Sequence, residues 1–212
     1  MAEEDEHDEE ETTDDVVILH DSMCRSINDT LLSRENVKVA KLWAPDIEHM
    51  EEALDRVDAK VVVLQAFTRD LDKMEVDEMC QKIAGLVSKA LTKAEKVVVS
   101  SVIRREDIVD IDLKADLVNA YVNLKYKRIE NVVICDNYKL YDGRFRKQDK
   151  LHLNDDGTRL FASNLKYAIA SAVGVHVQVR RNNGNEERHE YNDRHQGNYN
   201  GGRSDYRRRY NR

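Results

Sequence analysis

The sequence predicts an α/β fold: a three-layer α/β/α sandwich around a five-stranded, mainly parallel sheet, with disordered tails at both ends. Three observations predict it. Five short runs rich in Val, Ile and Leu recur along the chain, and continuous apolar runs are the mark of parallel strands covered on both faces. Helical patterns lie between these runs, which is the alternation of βαβ units. The ends break the pattern in charge: residues 1–15 carry ten acids and no Lys or Arg, whereas residues 177–212 carry nine Arg against five acids.

Oppositely charged blocks of this kind cannot bury enough apolar surface to offset their ordering entropy. The expected organisation is an acidic disordered tail over 1–15, one domain over 16–176, and an Arg/Tyr/Asn/Gly-rich disordered tail over 177–212. A chain of 212 residues with net charge −7 is long enough for one domain with a sizeable core.

The first strand is Val16-Val17-Ile18-Leu19. Asp21-Ser22 follows and opens the apolar-periodic segment Met23 to Leu32, which reads as a helix because Asp and Ser are favoured caps. The second strand is expected over Val37 to Trp43. Pro45, the only proline, then precedes a helix over Asp46 to Val57 whose first turn tolerates it. Lys60 to Ala66 makes the third strand. From Val76 onward, Met79, Cys80, Ile83, Leu86, Val87 and Ala90 recur at helical spacing and form one apolar face. Lys96 to Val102 and Asn131 to Cys135 supply the last two strands. Asn154-Asp155-Asp156-Gly157 is a loop able to cap a final helix carrying Phe161, Leu165, Ala168, Ile169 and Ala172.

No apolar stretch approaches the roughly 18 to 20 residues that span a bilayer, and the acidic start is the opposite of a secretory leader. A soluble intracellular protein without membrane partners is expected. Cys24, Cys80 and Cys135, odd in number and set in apolar segments, read as reduced buried thiols. No metal or organic cofactor is implied, and the oligomeric state is not legible.

In open α/β sheets, functional groups gather at the carboxyl ends of the strands. Ser22 follows the first strand at that end, and Asp149-Lys150-Leu151-His152-Leu153 lies in a loop after the last. Serine, histidine and aspartate are the nucleophile, base and orienting carboxylate of acyl-transfer chemistry. Each also has a plainer reading, Ser22 as a helix cap and His152 as a surface histidine. The two readings of Ser22 share one geometry, since N–H groups at a helix start can also stabilise an oxyanion.

These residues carry a family resemblance. Over about Val16 to Val175 the chain resembles the SGNH hydrolases, also called the GDSL esterase/lipase family, through His20-Asp21-Ser22-Met23 and Asp149-Lys150-Leu151-His152-Leu153. The resemblance implies a flavodoxin-like sandwich, Ser22 as nucleophile, His152 as general base, Asp149 as its partner, and a small carboxylic ester as substrate. Two blocks depart from the family's pattern. Its Gly-x-Asn-Asp block reads Phe67-Thr68-Arg69-Asp70, so arginine stands where an asparagine amide donates to the oxyanion. Its second glycine donor falls near Trp43-Ala44-Pro45, where Ala44 can offer only its N–H. The expected oxyanion hole is therefore Ser22, Ala44 and Arg69, with Arg69 either a cationic donor or clamp for an anionic substrate, or a surface residue paired with Asp70 or Asp72 or turned to solvent. Losing one such donor costs about 10²–10³ in rate, which makes a catalytically silent binding or assembly scaffold the competing reading.

The C-terminal tail interleaves arginine with tyrosine in Arg203, Tyr206, Arg207, Arg208, Arg209, Tyr210 and Arg212. Guanidinium groups meet phosphates and aromatic rings stack on bases, so single-stranded RNA or DNA is an expected partner. The plainer alternative is a solvated tail. The arrangement resembles the esterase-like modules of some retrotransposon-encoded RNA-binding proteins, and the acidic head could mask the basic tail.

Overall fold

The computed structural model describes residues 14–175. The tail residues named above, Arg203 to Arg212, lie outside them. Five strands, β1 (Val16–His20), β2 (Val39–Trp43), β3 (Val61–Gln65), β4 (Lys96–Ser100) and β5 (Val132–Cys135), form one wholly parallel sheet in the order β2-β1-β3-β4-β5. The order reverses between β1 and β3, and such a switch point opens a crevice at the strands' carboxyl ends.

Four helices, α1 (Ile47–Leu54), α2 (Val76–Leu91), α3 (Ile111–Tyr126) and α4 (Asp155–Ala172), complete the three layers. Side chains alternate across a strand, so each strand feeds two cores. Val17, Leu19, Val62, Leu64, Val97 and Val99 pack with the buried faces of α1, α2 and α3. Val16, Ile18, Val61, Val63 and Val98 pack against α4 and the loop residues Met23, Cys24, Ile27 and Leu140. Each fully buried Ile, Leu or Phe side chain here contributes about 1.5–3 kcal/mol of transfer free energy. Cys24, Cys80 and Cys135 are free and buried.

The helix expected over Met23 to Leu32 does not form. Two single 3₁₀ turns, Ser22–Cys24 and Asp29–Leu31, occupy that stretch. Lys41 explains part of the break: its ammonium donates to the carbonyls of Cys24, Arg25 and Ile27, satisfying acceptors that a continuing helix would otherwise use. Asn28 then caps the second turn by accepting from Thr30 N. One face of the sheet is consequently covered by α4 and turns, the other by three helices.

At the other boundaries the differences are small. Asp46 is the cap of α1, accepting from His49 N at 3.1 Å, and the helix ends at Leu54 rather than Val57. Asn154 accepts from Gly157 N at 2.9 Å, so α4 begins inside the expected loop, with Asp155 and Asp156 in its first turn where the helix dipole favours acids.

Candidate active site

Ser22 owes its position to the residues on either side. Asp21 continues the ladder of β1 by donating its N–H to Gln65 O at 3.1 Å. Its buried carboxylate accepts from Met23 N at 2.8 Å and from Gln65 Nε2 at 3.1 Å. Met23 and Cys24 turn into the core. The chain thus reverses within one residue, and Ser22 is left exposed at the carboxyl end of β1. The Ser22 N–H has no acceptor among the described residues. Burial raises the Asp21 carboxyl to about 6 and holds His20 below its ordinary value. The His20 ring donates from Nδ1 to Asp21 O at 2.8 Å and meets Trp43 edge-on at 5.6 Å.

Asp149 and His152 sit on a tight hairpin. Arg146 and Leu153 form an isolated antiparallel bridge, Lys147 N donates to His152 O at 2.8 Å, and Asn154 N donates to Phe145 O at 2.9 Å. At the tip Lys150 has φ +56°, a left-handed conformation that costs a non-glycine residue about 1 kcal/mol or more. Asp149 holds that turn: Oδ1 accepts from Leu151 N and His152 N at 2.9 Å each, and Oδ2 meets His152 Nδ1 at 2.9 Å. The hydrogen bond from His152, with those amides, lowers the Asp149 carboxyl to about 2. The carboxylate is thereby kept ionised, and Nδ1 carries the hydrogen it accepts, leaving Nε2 free to take a proton.

The hairpin rests on the first turn of α4. A Cβ at Gly157 would lie 2.5 Å from Phe145 O, so only glycine permits this approach. Asn154 Nδ2 also donates to Arg144 O at 2.6 Å.

Ser22 stands between two depressions. One, of about 260 Å³, is walled by Ser22, His152, Arg25, Ser26, Lys147 and Thr158. The other, of about 360 Å³, is walled by Ser22, Pro45, Arg69, Lys73, Arg105 and Leu151 among others. Ser22 and His152 therefore share one surface depression, although among the described residues no hydrogen bond joins their side chains. In unliganded sites such contacts are often long and tighten only with substrate.

Arg105, which the sequence does not single out, also walls the cleft. It is buried, binds Asp107 through Nε and Nη2 at 2.9 and 2.7 Å, reaches Asp72 at 3.3 Å, and donates to Thr68 O at 3.5 Å. It staples the loop after β4 to the loop after β3. Its trace in the sequence is Arg105-x-Asp107 just beyond a strand end. Among the described residues no three His, Cys, Asp or Glu side chains cluster as a metal site requires. Cys24 and Cys135 are raised by burial to about 12, so neither competes with Ser22 as a nucleophile.

No protein-family model and no curated protein matches the sequence. Solved structures are similar in fold. A member of the lipolytic G-D-S-L family from Veillonella parvula superposes with TM-score 0.60 at 18% identity, covering 70% of this chain and 94% of that one. A GDSL-like lipase from Bacteroides thetaiotaomicron gives 0.59 at 18% identity, covering 74% and 88%. The catalytic domain of peptidoglycan O-acetyltransferase from Streptococcus pneumoniae gives 0.57 at 11% identity, covering 76% and 96%. This chain has the SGNH hydrolase fold.

Within the SGNH fold, the structure corrects the expectation for Ala44. Its N–H donates to His20 O at 2.9 Å, extending the β1–β2 ladder, and so is not free for an oxyanion. Pro45, next in the chain and lining the cleft, has no N–H at all. Arg69 is exposed in the cleft wall and has no ion-pair partner among the described residues. The two acids suggested for it are engaged elsewhere: Asp70 accepts from Ile47 N at 2.9 Å and meets Lys73 at 3.5 Å, and Asp72 meets Arg105. Of the two readings of Arg69, pairing with Asp70 or Asp72 is therefore set aside. No helix among the described residues is long and apolar enough to cross a membrane.

Proposed function

We propose that this protein is a serine hydrolase of carboxylic esters with small acyl groups, in which Ser22 is the nucleophile, His152 the general base and Asp149 the orienting carboxylate. The observation that carries the reading is the ionised Asp149 bonded to His152 Nδ1 at 2.9 Å on a hairpin whose imidazole shares a depression with Ser22. His152 Nε2 takes the Ser22 proton as Oγ attacks the ester carbonyl; the tetrahedral intermediate collapses, and the alkoxide leaves with that proton. Water, deprotonated by the same imidazole, then attacks the acyl-enzyme carbonyl; Ser22 Oγ leaves with that proton and the acid is released. The Ser22 N–H and the Arg69 guanidinium supply oxyanion stabilisation. Structures titled acetyl esterase and acetyl xylan esterase share the fold, at TM-scores of 0.59 and 0.58, which supports short acyl groups. With the Ala44 N–H engaged, the rate is expected to be about 10²–10³ below that of a complete site.

The same engagement of Ala44 favours a second reading, a silent scaffold that works through its Arg/Tyr tail on single-stranded nucleic acid. Reaction of the full chain with a fluorophosphonate, beside Ser22→Ala and His152→Ala and read by intact mass, separates the two. An adduct that requires both residues supports the hydrolase. No adduct, together with an RNA mobility shift that depends on residues 177–212, supports the scaffold.

A further inference from the structure

We propose that the outer face of α3 is a homodimer interface, in which α3 packs antiparallel against α3 of a second copy. This helix is apolar on two sides. Ile111, Ala115, Val118, Val122 and Tyr126 face the core. On the opposite side Leu113, Leu117, Ala120 and Leu124 are exposed, the three leucines at 61%, 50% and 88%. Their spacings of four, three and four residues make a continuous seam of the kind helices use to pair. Single exposed leucines need no explanation, whereas a contiguous apolar stripe marks an interaction surface.

The stripe identifies a second copy as its occupant because it complements itself when reversed. With a two-fold axis passing between residues 118 and 119, Leu113 lies opposite Leu124 of the other copy, and Leu117 lies opposite Ala120. Large side chains then meet small ones at the centre, which lets the helices approach closely. The charges at the ends agree. Asp110 and Asp112 mark the start of the stripe, and Lys127 and Arg128 mark its end. Among the described residues the ion pairs near α3 use Asp116, with Arg104, and Lys114, with Glu75, and none uses those four end charges, although Asp112 accepts from Leu113 N. Antiparallel packing sets each acidic end against a basic end, whereas parallel packing sets like against like. Both contacts are generated by one isologous operation, as a two-fold dimer requires.

A helix of 16 residues is about 24 Å long, so this seam is at the small end of specific interfaces and a dissociation constant on the order of 10 µM is expected. Sedimentation equilibrium of the full chain at about 100 µM, well above that constant, should give a weight-average mass about 1.8-fold the 24.6 kDa chain mass, approaching that of a dimer. Leu117→Glu should give a monomer with unchanged far-UV circular dichroism. Asp110→Lys and Lys127→Asp, which face each other across the two-fold axis, should each weaken the dimer about fivefold or more, and the double exchange should recover it to within about twofold. A monomer at that concentration overturns the proposal, as does a dimer indifferent to Leu117→Glu. A double exchange no tighter than either single change overturns the antiparallel arrangement. A monomer that dimerises only after residues 177–212 are removed makes the chain's own tail the occupant, and overturns it too.

Discussion

Asp149 grips His152 at two points at once: one carboxylate oxygen accepts its main-chain N–H and the other its ring Nδ1, each at 2.9 Å. The same group that orients the imidazole also closes the turn that presents it, so both tasks fall to a single side chain. Asp149→Asn can still close the turn through its amide oxygen, but it loses the charge that stabilises the imidazolium. Labelling by a fluorophosphonate should fall by about 10²–10⁴ with little change in melting temperature. An equal loss in Asp149→Asn and Asp149→Ala, with both variants folded, points to charge; a larger loss in the alanine variant points to the turn.

Gly157 is the contact on which the hairpin rests. Gly157→Ala drives a methyl group to 2.5 Å from Phe145 O, and relieving it shifts the hairpin off α4. We expect a destabilisation of about 1–3 kcal/mol and a slower reaction at Ser22, measured by urea unfolding and by the labelling rate. Unchanged stability would mean that the hairpin yields freely and that its position is not set by this packing.

Arg69→Asn installs the amide that the SGNH pattern uses at this place. If the oxyanion hole limits the rate, ester hydrolysis should rise by up to about 10², measured as kcat on a small acetyl ester. A fall instead would show that the guanidinium itself is the better donor here.

Asp21 gives a signature in pH. Its buried carboxyl lies at about 6, against roughly 3.9 for an unfolded aspartate. Between these values the folded chain binds more protons than the unfolded chain, so this group's contribution to stability is greatest below the lower value. It falls as pH rises through the window, by about 3 kcal/mol in total. Asp149, lowered to about 2, acts in the opposite direction at more acid pH, so the comparison with Asp21→Asn is what isolates the effect. From about pH 4 to pH 7, wild type should lose stability relative to that variant in urea titrations; parallel curves would contradict it.

Arg105 ties two loops at the rim of the cleft. Arg105→Met leaves Asp72 and Asp107 without their guanidinium partner; both carboxylates are exposed and water can solvate them, so the expected cost is about 1 kcal/mol. Arg105→Lys should recover only part, because an ammonium cannot reproduce the bidentate contact with Asp107. Thermal unfolding of the three proteins checks the order.

Short-range periodicity made much of this fold readable along the chain. All five strands, α2 and α4 were legible because runs such as Val61 to Leu64 and stripes such as Met79, Ile83 and Leu86 encode burial directly in their spacing. Ser22, Asp149 and His152 could be named as candidates because a strand end and a late loop fall at the carboxyl end of a parallel sheet. Tertiary structure alone decided the rest. The segment after Ser22 has helical periodicity, yet it breaks into 3₁₀ turns partly because Lys41, on a neighbouring strand, takes its carbonyls. Ala44 looked able to donate to an oxyanion until the end of β1 supplied His20 O as its acceptor. Arg105 became a wall of the cleft only when two loops distant in sequence met. In each case the deciding partner lies in another element, and a periodicity read along one chain segment carries no information about which distant hydrogen-bonding group will be closest.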